Sequence, residues 1–194
     1  MKNKLKLIAM LIILLLLNAC GANNNDNNND GTAQTDNSYT SKDIADAIMA
    51  VYAQQDLPES GFEYFFSRAD ENSENYIDSM FAGFLINGAY APLDEFEYLS
   101  DCAFYIPVGR HIFEIDVLKS QDGKKENLKI LKDVLTKRLD RKNSSDVLDY
   151  NSQEKPLLDS AEVITAGNYA FLLATTDNSK AEKVIKDMIT EAAN

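Results

Sequence analysis

The run from Met1 to Gly21, MKNKLKLIAMLIILLLLNACG, takes itself out of any water-soluble core and so decides which residues are left to build one. Lys2, Lys4 and Lys6 give it a positive start, and Leu7 to Leu17 are apolar without interruption. A core of this length falls within the ~7–15 residues of a secretory apolar segment and short of the ~20 needed to cross a bilayer. Residues 1–19 therefore read as a signal peptide, and folding is left to the chain beyond it.

The five residues Leu17-Asn18-Ala19-Cys20-Gly21 resemble a bacterial lipobox, L-x-A-C-G. The resemblance implies that the Cys20 sulfur is lipidated and that Cys20 becomes the first mature residue. The membrane is then a partner through that lipid, on the extracytoplasmic face. One acyl chain binds marginally and two bind stably, so a diacyl group on Cys20 is enough to anchor the chain.

Charge narrows the partners further. The chain carries −12 at pH 7, and losing residues 1–19 removes three lysines and no acid, which leaves −15. A polyanion cannot release counterions from phosphates, so nucleic acid is excluded as a partner. Anionic headgroups also repel it, so the lipid must provide the attachment. Only Cys20 and Cys102 are present, and lipidation consumes the first. No disulfide then staples the fold, which has to rest on its apolar core.

Gly21 to Ser38 reads GANNNDNNNDGTAQTDNS, with no large apolar residue. It buries nothing to offset chain entropy, so residues 20–38 are expected to be a disordered tether with a reach of ~25 Å. Residues 39–194 then form a single domain. Thr40-x-x-Asp43 has the spacing of a helix start, and Ile44, Ala47, Ile48, Val51 and Tyr52 follow at helical intervals before Pro58. Between 59 and 100, Gly83, Gly88 and Pro92 interrupt weak periodicity, which predicts short helices and loops.

The pattern sharpens from Asp101. Cys102, Phe104, Ile106 and Val108 alternate as on a strand. A second strand puts Phe113, Ile115 and Val117 on one face and Glu114 and Asp116 on the other. Leu128, Leu131, Leu135 and Leu139 mark a helix over 124–142. Residues 161–166 and 169–176 flank Gly167-Asn168, a two-residue hairpin turn. Ser179-x-x-Glu182 reads as a capping box opening a last helix, with Ala181, Val184, Ile185, Met188 and Ile189 inward. The expected fold is α+β: N-terminal helices, then strand–strand–helix–strand–strand–helix. Its sheet is mostly antiparallel and four-stranded, with the helices on one face.

This layout is similar to the domain of unknown function 4358, a family of exported bacterial lipoproteins, over roughly residues 42–190. The resemblance rests on Glu114 to Lys119, on the lysine-rich helix Lys124–Arg138, and on the hairpin Val163 to Leu173. It implies an exported lipoprotein of this fold and assigns no chemistry.

His111 is the only histidine, and a strand-end position explains it without catalysis. With Cys102 it offers too few nitrogen and sulfur ligands for zinc. Asp26-x-Asn28-x-Asp30-Gly31 matches half of a calcium loop, but Asn37 stands where a bidentate glutamate is needed. No metal and no cofactor are therefore expected. Acids at Glu59, Glu63, Asp70, Glu71, Glu74 and Asp78, and again at Asp94, Glu95 and Glu97, read either as a solvated surface or as the carboxylates of a small wall-directed hydrolase. Phe62, Tyr64, Phe65 and Phe66 read as core or as the groove of a small-ligand or lipid carrier.

Half of the basic residues beyond the signal peptide lie between Lys124 and Lys142. Lys125, Lys129 and Lys132 are the candidate docking face for an envelope protein or a wall polymer, against the plainer reading of a solvated helix face. The expected function is thus a lipid-anchored, non-catalytic binding or interaction module.

Overall fold

The computed structural model describes residues 39–109, 111–144 and 152–191. Cys20, the tether and the partial calcium-loop match lie outside these residues. Helix α1 (Ser41–Met49) begins at Thr40, whose hydroxyl accepts from the Asp43 amide while the Asp43 carboxylate accepts from the Thr40 amide. This capping box forms at the helix start read from the sequence, and it holds the Asp43 carboxyl below its ordinary range, the Thr40 hydroxyl being the main cause. Ile44, Ala45 and Ile48 are buried. The helix stops short of Val51, which is exposed rather than inward.

The sheet has five strands: β1 (Phe62–Phe66), β2 (Leu99–Pro107), β3 (Glu114–Ser120), β4 (Glu162–Ala166) and β5 (Tyr169–Ala174). Their spatial order is β1-β2-β3-β5-β4 and every pairing is antiparallel. The other described α-helices are α2 (Ser79–Asn87), α3 (Lys125–Lys142), α4 (Lys155–Asp159) and α5 (Asn178–Glu191). The four-stranded expectation missed β1. Its Phe65 and Phe66 point to opposite faces and both are buried, so no apolar–polar alternation marks the strand.

The placement of all helices on one face is also corrected. Ala103, Ile115, Val117, Phe171 and Leu173 pack against α1 and α5. Cys102, Phe104, Leu118, Ala170 and Leu172 pack on the other side against α2 and α3. All six residues of β5 are buried, and a strand apolar on both faces needs a helix layer on each. The hairpin turn is as expected: Gly167 takes φ 52°, which suits the first central position of a tight primed turn. The last helix starts at Asn178 and not after Ser179. Asp177 is the residue that accepts from the Ser179 hydroxyl at 2.6 Å, and this bond is the main cause of its lowered pKa.

Helix α2 is capped by Asp78, which accepts from the Phe81 amide at 2.8 Å, and it ends at Gly88 in the left-handed conformation. Gly83 does not break it. The loop leading to β2 crosses there so closely that a Cβ would sit 1.8 Å from the Ala91 carbonyl oxygen. Alanine ordinarily favours a helix over glycine by ~1 kcal/mol. Here overpacking wins, and Gly83→Ala should lower stability by ~1–3 kcal/mol in urea denaturation. An unchanged midpoint would mean that the loop yields freely.

Candidate functional site

A cleft of about 490 Å³ opens where the start of α1 meets β1 and the start of β2. Local irregularity builds it. The β2–β3 register steps from Leu99↔Ser120 to Asp101↔Lys119, which leaves Ser100 as an extra residue and bends the strand there. Asp101 is thereby turned under α1 with only 2% of its surface exposed. Its Oδ1 accepts from the Ser41 amide at 2.6 Å, tying the helix start to the sheet. Its Oδ2 has no hydrogen-bond donor, yet Arg68 Nε lies 3.3 Å away, within ion-pair reach but off the hydrogen-bond direction. The buried carboxylate therefore holds the base of the guanidinium, whose side chain is otherwise 59% exposed over the cleft.

The opposite wall is aromatic. Tyr64, 44% exposed, stacks on Tyr105 at 5.7 Å and 28°. Lys42 Nζ sits 4.8 Å from the Phe66 ring centroid and 2.5 Å from Asp46. The Tyr105 hydroxyl donates to the Asp46 carboxylate, and burial together with this bond raises its pKa. At the back, burial pushes the Cys102 thiol up to about 12 against the opposing pull of Ser67. It is a neutral thiol at physiological pH. The cleft thus brings together a flat apolar wall, an oriented guanidinium and an ammonium.

The basic helix splits in two. Lys125, Lys129 and Lys132 are exposed on its outer face, with Lys129 2.6 Å from Asp133. Arg138 and Lys142 turn inward, although sequence reading grouped them with the solvated lysines. Arg138 grips Glu114 with Nε at 2.7 Å and its second terminal nitrogen at 3.0 Å, and donates to the Leu85 carbonyl at 2.6 Å. Lys142 Nζ lies 2.5 Å from Glu114 Oε2, the oxygen that also accepts from the Arg138 terminal nitrogen. Arg141 donates to the Phe84 and Leu85 carbonyls at the end of α2.

Glu114 and Asp116 are both fully buried beneath this helix. Burial alone would raise the Glu114 pKa, but the Arg138 and Lys142 charges outweigh it and hold the carboxyl at about 2. Asp116 moves the opposite way. Burial and the neighbouring Glu114 charge raise it well above the ordinary carboxylate range. As a carboxylate neither of its oxygens has a hydrogen-bond partner, whereas with a proton it becomes a donor toward Glu114.

The remaining candidates separate. His111 Nδ1 lies 2.6 Å from Glu154, whose other oxygen accepts from the Ile112 amide at 2.5 Å. That carboxylate pins the start of β3. Asp78 caps α2, Asp70 accepts from the Asn72 amide, and Glu95 pairs with Lys137 at 2.8 Å. Asp78 and Asp70 thus serve local turns and Glu95 an ion pair, and no acid of 59–97 lines the cleft at the start of α1. Among the described residues, no group of three His, Cys, Asp or Glu side chains could hold a metal. Sequence reading missed Lys42, Arg68 and Asp101. One signal was present: Arg68 is the only basic residue between Lys42 and Arg110, in a stretch crowded with acids.

The buried cluster has a pH signature. Native Asp116 keeps a proton that the unfolded chain loses above about 3.8, so its contribution makes stability fall as pH rises from there. Glu114 acts in the reverse sense: its contribution is full above about 4.5 and lost as pH falls toward about 2. Asp116→Asn should therefore gain stability relative to the parent between pH 5 and pH 8 in urea denaturation. A pH-independent difference would mean that Asp116 is ionised in the fold.

Comparison with protein-family models, with curated proteins and with solved structures finds no match to this chain.

Proposed function

We propose that this chain is a membrane-anchored, extracytoplasmic lipoprotein, similar to the domain of unknown function 4358, that acts as a non-catalytic binding module. Its recognition site is the cleft at the start of α1. The observation that carries this reading is Asp101: a buried carboxylate orients an otherwise exposed Arg68 beside the aromatic wall of Tyr64 and Phe66. Orienting a guanidinium in advance lowers the entropy cost of binding a carboxylate or a similar planar anion. The Tyr64 face accepts a flat or apolar group next to it. The ligand is thus a small molecule or chain end that combines an anionic group with an apolar part.

Separate tests address the anchor and the cleft. Cys20→Ala should release the chain from the membrane fraction, and retention of this variant on membranes would refute the lipid anchor. For the cleft, N-acetyl-phenylalanine and its amide are titrated into the full-length chain and followed by NMR. The acid should bind at least tenfold more tightly, a difference of about 1.4 kcal/mol. Arg68→Ala should abolish that preference, and Tyr64→Ala should weaken both ligands. Equal affinity of acid and amide for the parent chain would sink the anionic reading.

A further inference from the structure

The two edges of the sheet are treated differently. The outer side of β1 is covered: the Phe66 amide donates to the Asn75 carbonyl at 2.8 Å, the Ile77 amide to the Phe66 carbonyl at 3.3 Å, and Asn75 Nδ2 to the Tyr64 carbonyl at 2.8 Å. The other edge, β4, pairs only with β5 among the described residues. The two-residue turn makes Ala166 and Tyr169 a hydrogen-bonded pair. Alternation then aims the amide and carbonyl of Glu162, Ile164 and Ala166 at β5, and those of Val163 and Thr165 outward.

Sheet proteins usually protect such an edge with proline, lysine, a bulge or a covering segment. Glu162-Val163-Ile164-Thr165-Ala166 has no proline, lysine or bulge, no covering segment is present among the described residues, and the strand is rich in β-branched residues. Beside it runs a groove of about 530 Å³ between β4 and α5, floored by Ile164, Ala166, Ile185 and Ile189. Its rim carries both signs, with Glu182 and Lys186 one turn apart on α5. An edge beside an uncovered apolar strip is a template for a further strand.

We infer that β4 is a dimerisation strand: two copies pair their β4 edges antiparallel about a twofold axis through Ile164, joining two five-stranded sheets into one of ten. The occupant is a second copy because the patch complements itself. With Ile164 on the axis, Val163 of one copy faces Thr165 of the other, and the outward amides and carbonyls close four hydrogen bonds. The apolar strips of the two α5–β4 grooves come together, and Lys186 of each copy meets Glu182 of its mate. A twofold contact requires one surface to fit itself in this way. Glu162 adds support, since burial and the adjacent Glu182 charge raise its pKa, an acidic pair that a facing lysine would relieve. This inference does not depend on the ligand assigned to the cleft.

The test uses the full-length chain in phospholipid vesicles under mild oxidation. Directly opposed residues of a non-hydrogen-bonded antiparallel pair have Cα atoms about 4.5 Å apart, close enough for a disulfide. Ile164→Cys should give a disulfide-linked dimer, at least tenfold more than Tyr90→Cys, a site 74% exposed in the loop that follows α2. Adding Thr165→Pro removes an outward amide and leaves the β4–β5 ladder whole, so that crosslink should fall at least tenfold while the far-ultraviolet circular dichroism is kept. Separately, Lys186→Glu should raise the dimer dissociation constant at least tenfold in sedimentation of the detergent-solubilised chain. An Ile164→Cys yield no greater than that of Tyr90→Cys would overturn the inference. A crosslink to a different protein, or one indifferent to Thr165→Pro, would do the same.

Discussion

Glu114 lies in the central part of the sheet with no exposed surface, where an isolated carboxylate would lose several kcal/mol of hydration. Its ionised state there depends on Arg138 and Lys142, which reach it from one face of α3. The same two side chains also donate to the Leu85 and Ile112 carbonyls, so one buried charge cluster ties together α2, α3 and the start of β3. Breaking such a cluster by removing one partner costs ~3–5 kcal/mol, because the remaining charge stays buried. The apolar residues of α3 supply burial area, but apolar contact is not directional. A bidentate guanidinium–carboxylate pair is, and it sets where the helix sits along the strand.

Asp116 follows from that arrangement. Both cations contact Glu114 and neither pairs with Asp116, so one carboxyl keeps its charge and the other its proton. On the opposite face the packing is almost wholly apolar, between Ile44 and Ile48 of α1, Ala181 and Ile185 of α5, and the strand residues beneath them. One face of the sheet is therefore specified by charge and the other by shape. The cleft forms at the boundary, where α1 ends its contact with β2 and the bulge at Ser100 turns Asp101 inward. Bulges beside binding sites commonly serve this purpose, since they re-aim one side chain without disturbing the rest of the ladder.

Legibility in the sequence tracked the range of the interactions. The helix start at Thr40, the β4–β5 turn at Gly167 and the leucine row of α3 arise from residues within a few positions of one another, and each was readable. β1 was not, because its buried Phe65 and Phe66 are neighbours that face opposite sides while Glu63 and Tyr64 are exposed, so its residues follow no period. Arg138 and Lys142 looked like the lysines around them. Only the position of Glu114, 24 and 28 residues earlier, distinguishes their role.

By itself, the sequence determined the tendency of each segment: an apolar N-terminal run with a lipobox-like end, a strongly acidic chain, local caps and turns, and an α+β order of elements. These follow from composition and from spacings of two to four residues, which act before any tertiary contact exists. The tertiary structure alone decided that the sheet has five strands with helices on both faces. It also decided which basic residues are buried, and that Lys42, Arg68 and Asp101 share a cleft. Those outcomes depend on which distant segments meet, because burial, charge compensation and strand order are properties of pairs far apart in the chain.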